Sequence, residues 1–209
     1  MNLTRNENLQ GASAQQEPLR DRMLDLAFRE IYETGFCGLR VDTLIAKAGT
    51  TKGAFYHHFP SKSALGYAVV DEVLAGLADD VWGKHLASFA DPIEGIEASA
   101  LYAMQRLGPR CAELGCPFNN LAQEMSAIDN GFRERLGALF ARIIANIAQA
   151  LRRGQRDGHV RSNIDPDSTA HFTFSALEGT LGVVKTMGAD ASFDIGMQGL
   201  RQYLATLRP

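Results

Sequence analysis

Apolar residues along this chain return every three or four positions in successive runs, and glycine, proline and short polar stretches separate the runs. That spacing lines one face of an α-helix. The first run starts at Pro18 and places Leu19, Met23, Leu26, Ala27, Ile31 and Tyr32 on one side. Arg20, Asp21, Arg22, Asp25, Arg29 and Glu30 lie on the other, and the pattern stops at Gly35, with Phe36 expected to plug the core. Val41, Leu44, Ile45 and Ala48 predict a short second helix, ended by Gly49 because glycine takes the left-handed conformation without steric penalty. Thr50 or Thr51 caps a third helix, which ends near Phe59-Pro60 because proline disfavours helix at the residue before it. Ser61 opens a long fourth helix through Leu65, Val69, Val73, Leu77 and Val81 to about Trp82-Gly83.

The second half repeats this punctuation. Asp91-Pro92 is a capping side chain followed by proline at the first helical position, and the helix it starts runs through Ile96, Ala100, Tyr102, Met104 and Leu107 to Gly108-Pro109. One further turn is predicted in 110–115, and Pro117 starts a sixth helix reaching about Ile128. A long seventh helix, 131–156, carries Phe132, Leu136, Leu139, Phe140, Ile143, Ile147 and Leu151 on one stripe and ends at Asp157-Gly158. Asp165-Pro166 opens the eighth, which runs to Met187-Gly188, and Ser192 is the expected cap of a ninth, 193–207. No stretch alternates in the manner of a strand. The pattern therefore predicts an all-α chain of about nine helices: a polar, disordered arm at 1–17 whose one cation is Arg5, a head at 18–65 and a body at 66–209.

Composition changes the picture little. The chain is 45% hydrophobic and 22% charged, as globular proteins are, with a formal net charge of −3. The distribution of charge is more telling. Residues 18–65 hold seven Lys/Arg against five Asp/Glu, whereas 66–209 hold thirteen against seventeen. A mildly basic head on an acidic body suits a module that presents one face to DNA. Cys37, Cys111 and Cys116 form neither an even disulfide framework nor a zinc pattern, which points to a reducing cytoplasm. No apolar run is long enough to span a membrane and no signal-peptide core is present at the N-terminus, so a soluble cytoplasmic protein is expected.

The chemistry concentrates in 41–62. A helix, a glycine turn and a short polar-aromatic helix make a helix-turn-helix. Phe55 and Phe59, four apart, anchor the second helix, while Thr51, Lys52, Tyr56 and His57 supply donors and a stacking ring, and Gly53 admits a close backbone. Ala54, His58, Thr43 and Arg40 complete the candidate DNA surface, and Lys62, just after the Ser61 cap, is a candidate phosphate contact. The residues Gly35-Phe36, Val41-Asp42, Ala48-Gly49, Thr51 to Phe59 and Ser61-Lys62 together resemble the TetR family of bacterial repressors, far more specifically than a generic helix-turn-helix does. Two positions depart from that pattern: Leu39-Arg40 stands where a small hydroxyl cap is usual, and Ile45 where alanine is commoner.

The resemblance implies a homodimer joined through the last two helices, a palindromic double-stranded DNA operator, and a small-molecule effector bound among the middle helices. A fourth helix linking head to body would set the spacing of the heads. Gly179, Gly182, Phe174, Leu181 and Leu200 are candidates for the dimer face, an intrachain core role staying open for each. Tyr102, Met104, Phe118, Met125, Phe140, Phe172 and Phe174 are apolar pocket candidates, and Asn119, Asn120, Gln123, Glu124, His171 and Glu178 are polar ones. Gly115-Cys116 resembles a subgroup in which such a pair begins a pocket helix and the cysteine meets reactive electrophiles, with Lys185 at the place of a helping lysine. A helix N-terminus and a nearby ammonium would both favour the thiolate; the alternative is a buried cysteine acting as a small apolar residue. His171 and Glu178 lie seven apart without a third ligand, so no metal is expected, and no cofactor is implied. The function expected is a ligand-responsive repressor and not an enzyme. The alternative is a helical carrier or enzyme with a vestigial head, for which Cys116, His171, Glu178 and Lys185 are the available chemistry.

Overall fold

The computed structural model describes residues 18–209, so the N-terminal arm and its Arg5 lie outside the described residues. Within them the chain forms nine helices and a single extra turn, with no strand. Helix α1 spans Leu19–Gly38 and is broken at Gly35, whose φ of 78° marks where the apolar period stops. Helices α2 (Val41–Lys47) and α3 (Lys52–His58) are separated by Gly49 at φ 61°. Helix α4 runs continuously over 62–85, with wider π turns at Val69–Leu74 and Asp79–His85. Then follow α5 (Pro92–Leu107), the extra turn (Cys111–Leu114), α6 (Pro117–Met125), α7 (Asn130–Asp157), α8 (Pro166–Met187) and α9 (Ala189–Ala205).

The caps read from the sequence do their work. Thr51, Ser61, Asp91 and Asp165 each accept a backbone N–H in the first turn of the following helix, at 2.8–3.2 Å. Asp129 caps α7 through Phe132 N at 3.1 Å, which starts the helix one residue earlier than glycine placement predicts. Helix α9 begins at Ala189 directly after Gly188 rather than at Phe193, which removes Ser192 from the cap position. Arg40 precedes α2 without a side-chain cap bond, as a residue lacking a short acceptor must.

One core runs through head and body. Met23, Ala27, Phe55, Phe59 and Leu65 are buried in the head, and Val69, Leu74, Val81 and Trp82 carry the same core along α4 into the body. Each of the larger aliphatic, Met and Phe side chains among these stabilises the fold by about 1.5–3 kcal/mol relative to exposure. Phe36 is the plug its position suggested: it is buried and meets Phe132 of α7 edge to face at 4.7 Å. Gly66 makes that contact possible, since a Cβ there would stand 2.5 Å from both rings. Polar ties reinforce the joint. Tyr67 donates to Asp129 at 2.8 Å, and Arg20 grips Glu72 with two bonds of 2.6 Å, holding that carboxyl below its ordinary pKa. In the body α8 packs along α7 and α9.

Candidate DNA surface and effector site

Burial of Phe55 and Phe59 turns the rest of α3 outward. Thr51, Lys52, Gly53, Tyr56 and His57 are exposed, Tyr56 by 50%, while Ala54 and His58 are half-buried. The Thr51 hydroxyl accepts Ala54 N at 3.2 Å, so one candidate contact is also the cap that fixes where the helix begins. Lys52 is paired with Asp42 of α2 at 2.9 Å, and each raises the other's preference for its charged form. Both side chains are solvated, which makes this pair easily exchanged for a phosphate. Arg22 closes the end of α2 by donating to Ala48 O at 2.7 Å. Arg40 is exposed and Thr43 half-buried beside it. Lys62 does not point freely outward: its ammonium donates to Cys37 O at 3.2 Å and lies 4.8 Å from the centre of the Phe36 ring.

Head and body meet at Gly35. Glu124 of α6 accepts Phe36 N at 2.8 Å and Cys37 N at 2.7 Å, one with each carboxylate oxygen. A Cβ on Gly35 would stand 2.9 Å from both oxygens, so glycine is required by space as well as by its positive φ. At the other end of α6 the Tyr32 hydroxyl of α1 donates to Gly115 O at 2.6 Å, and Arg110 reaches Glu33 at 2.7 Å. Glu124, expected to line an effector pocket, instead has both oxygens engaged with the head, although it borders a cleft between α1 and α6. Tyr32 and Arg110 were not among the sequence candidates. The apolar period assigned Tyr32 to the core, and nothing in it signals a hydroxyl aimed at a carbonyl 83 residues away.

The body holds an apolar cavity bounded by Trp82, Met104, Cys116, Phe118, Glu178 and Phe193, with Cys111, Leu177 and Met197 deeper in its wall. Burial pushes the Cys116 thiol well above its ordinary pKa, and the Glu178 carboxyl beside it pushes further. Backbone N–H groups of Phe118 and Asn119 pull the other way, as the helix terminus predicts, but desolvation outweighs them. Of the two readings of this position, these surroundings favour the buried, protonated thiol over the thiolate. The helping lysine is corrected. Lys185 is exposed and donates to Asn120 Oδ1 at 3.2 Å, and Asn120 in turn donates to Leu114 O at 2.7 Å. Glu178 is the ionisable neighbour of Cys116, and burial raises its own pKa to about 7.

The other candidates divide between places. Phe140 and Phe174 meet edge to face at 5.2 Å and, with Asn119, His171 and Glu178, line an open groove between α7 and α8, so Glu178 borders both this groove and the cavity. Tyr102 faces α4: its ring stacks on His85 at 4.3 Å and its hydroxyl donates to Asp80 at 3.1 Å. Met125 is core, and Gln123 is exposed, donating to Asn119 at 3.4 Å. Phe172 is 55% exposed and rests against Tyr203. Of the dimer-face candidates, Phe174 and Leu200 are buried within the chain and Leu181 is half-buried. Gly179 and Gly182 face open space, and Val183, Met187 and Ile195 are exposed nearby along α8 and α9. Among the described residues no His, Cys, Asp and Glu groups converge as a metal site, and no helix is long and apolar enough to cross a membrane.

A compact head presenting an exposed, capped second helix after a glycine turn, on a helical body with an internal cavity, defines a helix-turn-helix transcriptional regulator. Family comparison makes this specific. Residues 23–69 match the bacterial regulatory proteins of the tetR family, and residues 94–200 match the tetracyclin repressor-like C-terminal domain. The chain belongs to the TetR family of transcriptional regulators. It is 24% identical over 164 residues to the HTH-type transcriptional repressor DhaR of Mycobacterium sp. (strain GP1), covering 78% of this chain and 81% of that one. It is 29% identical over 192 residues to the HTH-type transcriptional regulator UidR of Escherichia coli K12, covering 88% and 91%. Its fold matches the reduced form of E. coli NemR with a TM-score of 0.80, at 20% identity over 91% of this chain and 97% of that one.

Proposed function

We propose that this regulator is a homodimeric repressor that holds a palindromic operator and is released when a small effector enters the cavity at Cys116 and Glu178. The observation that carries the reading is the exposed face of α3, where Thr51, Lys52, Gly53, Tyr56 and His57 stand together on a helix pinned by Phe55 and Phe59. That DhaR is a transcriptional repressor supports repression here. The dimer forms through the glycine face of α8 and the exposed apolar residues of α8 and α9.

Release follows from the span of α6. Its first residues border the cavity through Cys116 and Phe118, and Glu124 in its last turn holds the backbone of Phe36 and Cys37 in the head. An effector that displaces α6 therefore moves the head as well as α4, and it acts by binding the released state better than the DNA-bound one. A thiol-reactive electrophile is the second route, since Cys116 lines the same cavity. It ranks behind reversible occupancy because the thiol is held protonated.

Fluorescence anisotropy on a duplex from the gene's own upstream region tests the reading. The dimer should prefer that duplex to a random one, and Tyr56→Ala should weaken binding about tenfold, the loss of about 1.4 kcal/mol. Equal affinity for both duplexes would instead favour a helical carrier with a vestigial head. Comparing Cys116→Ser with wild type under a small electrophile separates the two routes of release.

A further inference from the structure

We propose that the cavity between α4, α5, α8 and α9 is a recognition site for a small organic cation, a short alkylammonium, with Glu178 as its counter-ion. The inference rests on the effector reading above and names the ligand class of that site.

Glu178 Oε2 is closed off from solvent and has no hydrogen-bond partner among the described residues, and the Cys116 thiol is the one polar group that interacts with this carboxyl from the cavity side. A buried carboxyl oxygen without a partner is costly, so a donor entering the cavity gains more there than it would from water. The oxygen belongs to a side chain that borders an otherwise apolar space lined by Trp82, Met104, Phe118, Phe193 and Met197. Among the described residues lining this cavity, none is Lys, Arg or His. An anionic ligand would therefore face a like charge with no compensation. A neutral alcohol would gain one ordinary hydrogen bond. An ammonium would gain a charge-assisted bond in a low-dielectric site, beside aromatic side chains that favour cations. The cavity is about 40 Å³, room for about three water-sized groups, which limits the ligand to a short chain.

The groups that share the environment of Glu178 agree with this assignment. Cys116 at the start of α6 and Cys111 in the extra turn border the cavity, and Tyr32 of α1 lies against Cys111. On the groove side Asp167 and His171 share its own helix. Burial keeps Glu178 protonated below about pH 7. An ammonium pairs with the ionised form, so its affinity should fall as pH drops through that value and fall about tenfold per unit well below it.

Trp82 is the one tryptophan of the chain and lines this cavity, so its emission reads occupancy directly. Full-length protein would be titrated with ethylammonium, ethanol and formate at pH 8 and pH 6. The expected result is quenching by ethylammonium at least about tenfold tighter than by ethanol at pH 8, a loss of that preference at pH 6, and no saturable response to formate. Glu178→Gln should abolish the preference while leaving any weak ethanol binding in place. Ethanol or formate binding as tightly as the cation to wild type, or an undiminished preference in Glu178→Gln, overturns the assignment. Operator anisotropy on the same samples separates the two readings. Cation-selective quenching without DNA release sustains the site and sinks its effector role, whereas release by ethanol or formate alone sustains the repressor and sinks the cation site.

Discussion

A carboxylic acid carried by folding into an apolar wall keeps its proton, and Glu178 is in that position. Its pKa rises to about 7 in the fold, against about 4.3 in an unfolded chain. Between those values the folded state holds a proton that the unfolded state has released, so stability is full below about pH 4 and declines as pH rises toward 7. The loss is on the order of 3 kcal/mol and constant above that range. Glu178→Gln should remove the slope, so denaturant unfolding across pH 4.5–8 should show the variant gaining on wild type up to neutral pH. Parallel stability curves would mean that Glu178 ionises freely. Legibility at this scale follows locality. Asp91, Asp165, Thr51 and Ser61 could be named as caps because a cap depends on the next few residues only. The charge state of Cys116 could not, because it depends on which ionisable side chain of α8 folding brings alongside, and that was Glu178 rather than Lys185.

Helices α8 and α6 show what the periodic pattern can and cannot tell. Glycine weakens a helix by about 1 kcal/mol against alanine, so Gly179 and Gly182 within α8 call for a reason. Among the described residues there is none, since a Cβ at either position meets nothing of theirs within 4 Å. A second copy packed closely on this face, the dimer proposed above, would supply the reason. Gly182→Leu should thus leave helix content intact while shifting the dimer toward monomer, as read by sedimentation velocity at micromolar concentration. A variant that stays dimeric would place the interface elsewhere. The sequence marked these glycines but also marked Phe174 and Leu200, which are buried intrachain core, because apolar spacing does not distinguish a core from an interface. For α6 it marked the residues but not the connection. Glu124 reads as one more polar pocket residue until the fold sets it on two backbone N–H groups of the head.

Among the described residues, the nine helices and the helix-turn-helix were legible in spacing, caps and glycine stops, all local signals. The cavity was not, since its wall draws on α4, α5, α6, α8, α9 and the turn before α6, whose mutual placement no single stretch encodes. The central claim concerns two copies acting together: recognition helices entering successive major grooves about 34 Å apart on two-fold symmetric DNA. Footprinting of the full-length protein on the gene's upstream region tests it most directly. The account predicts one protected tract containing two inverted half-sites whose centres lie about one helical turn apart or a multiple of it. It also predicts that the tract loses protection as a unit when Tyr56 is replaced. A single unpaired half-site, or uniform protection without any preferred tract, would contradict it.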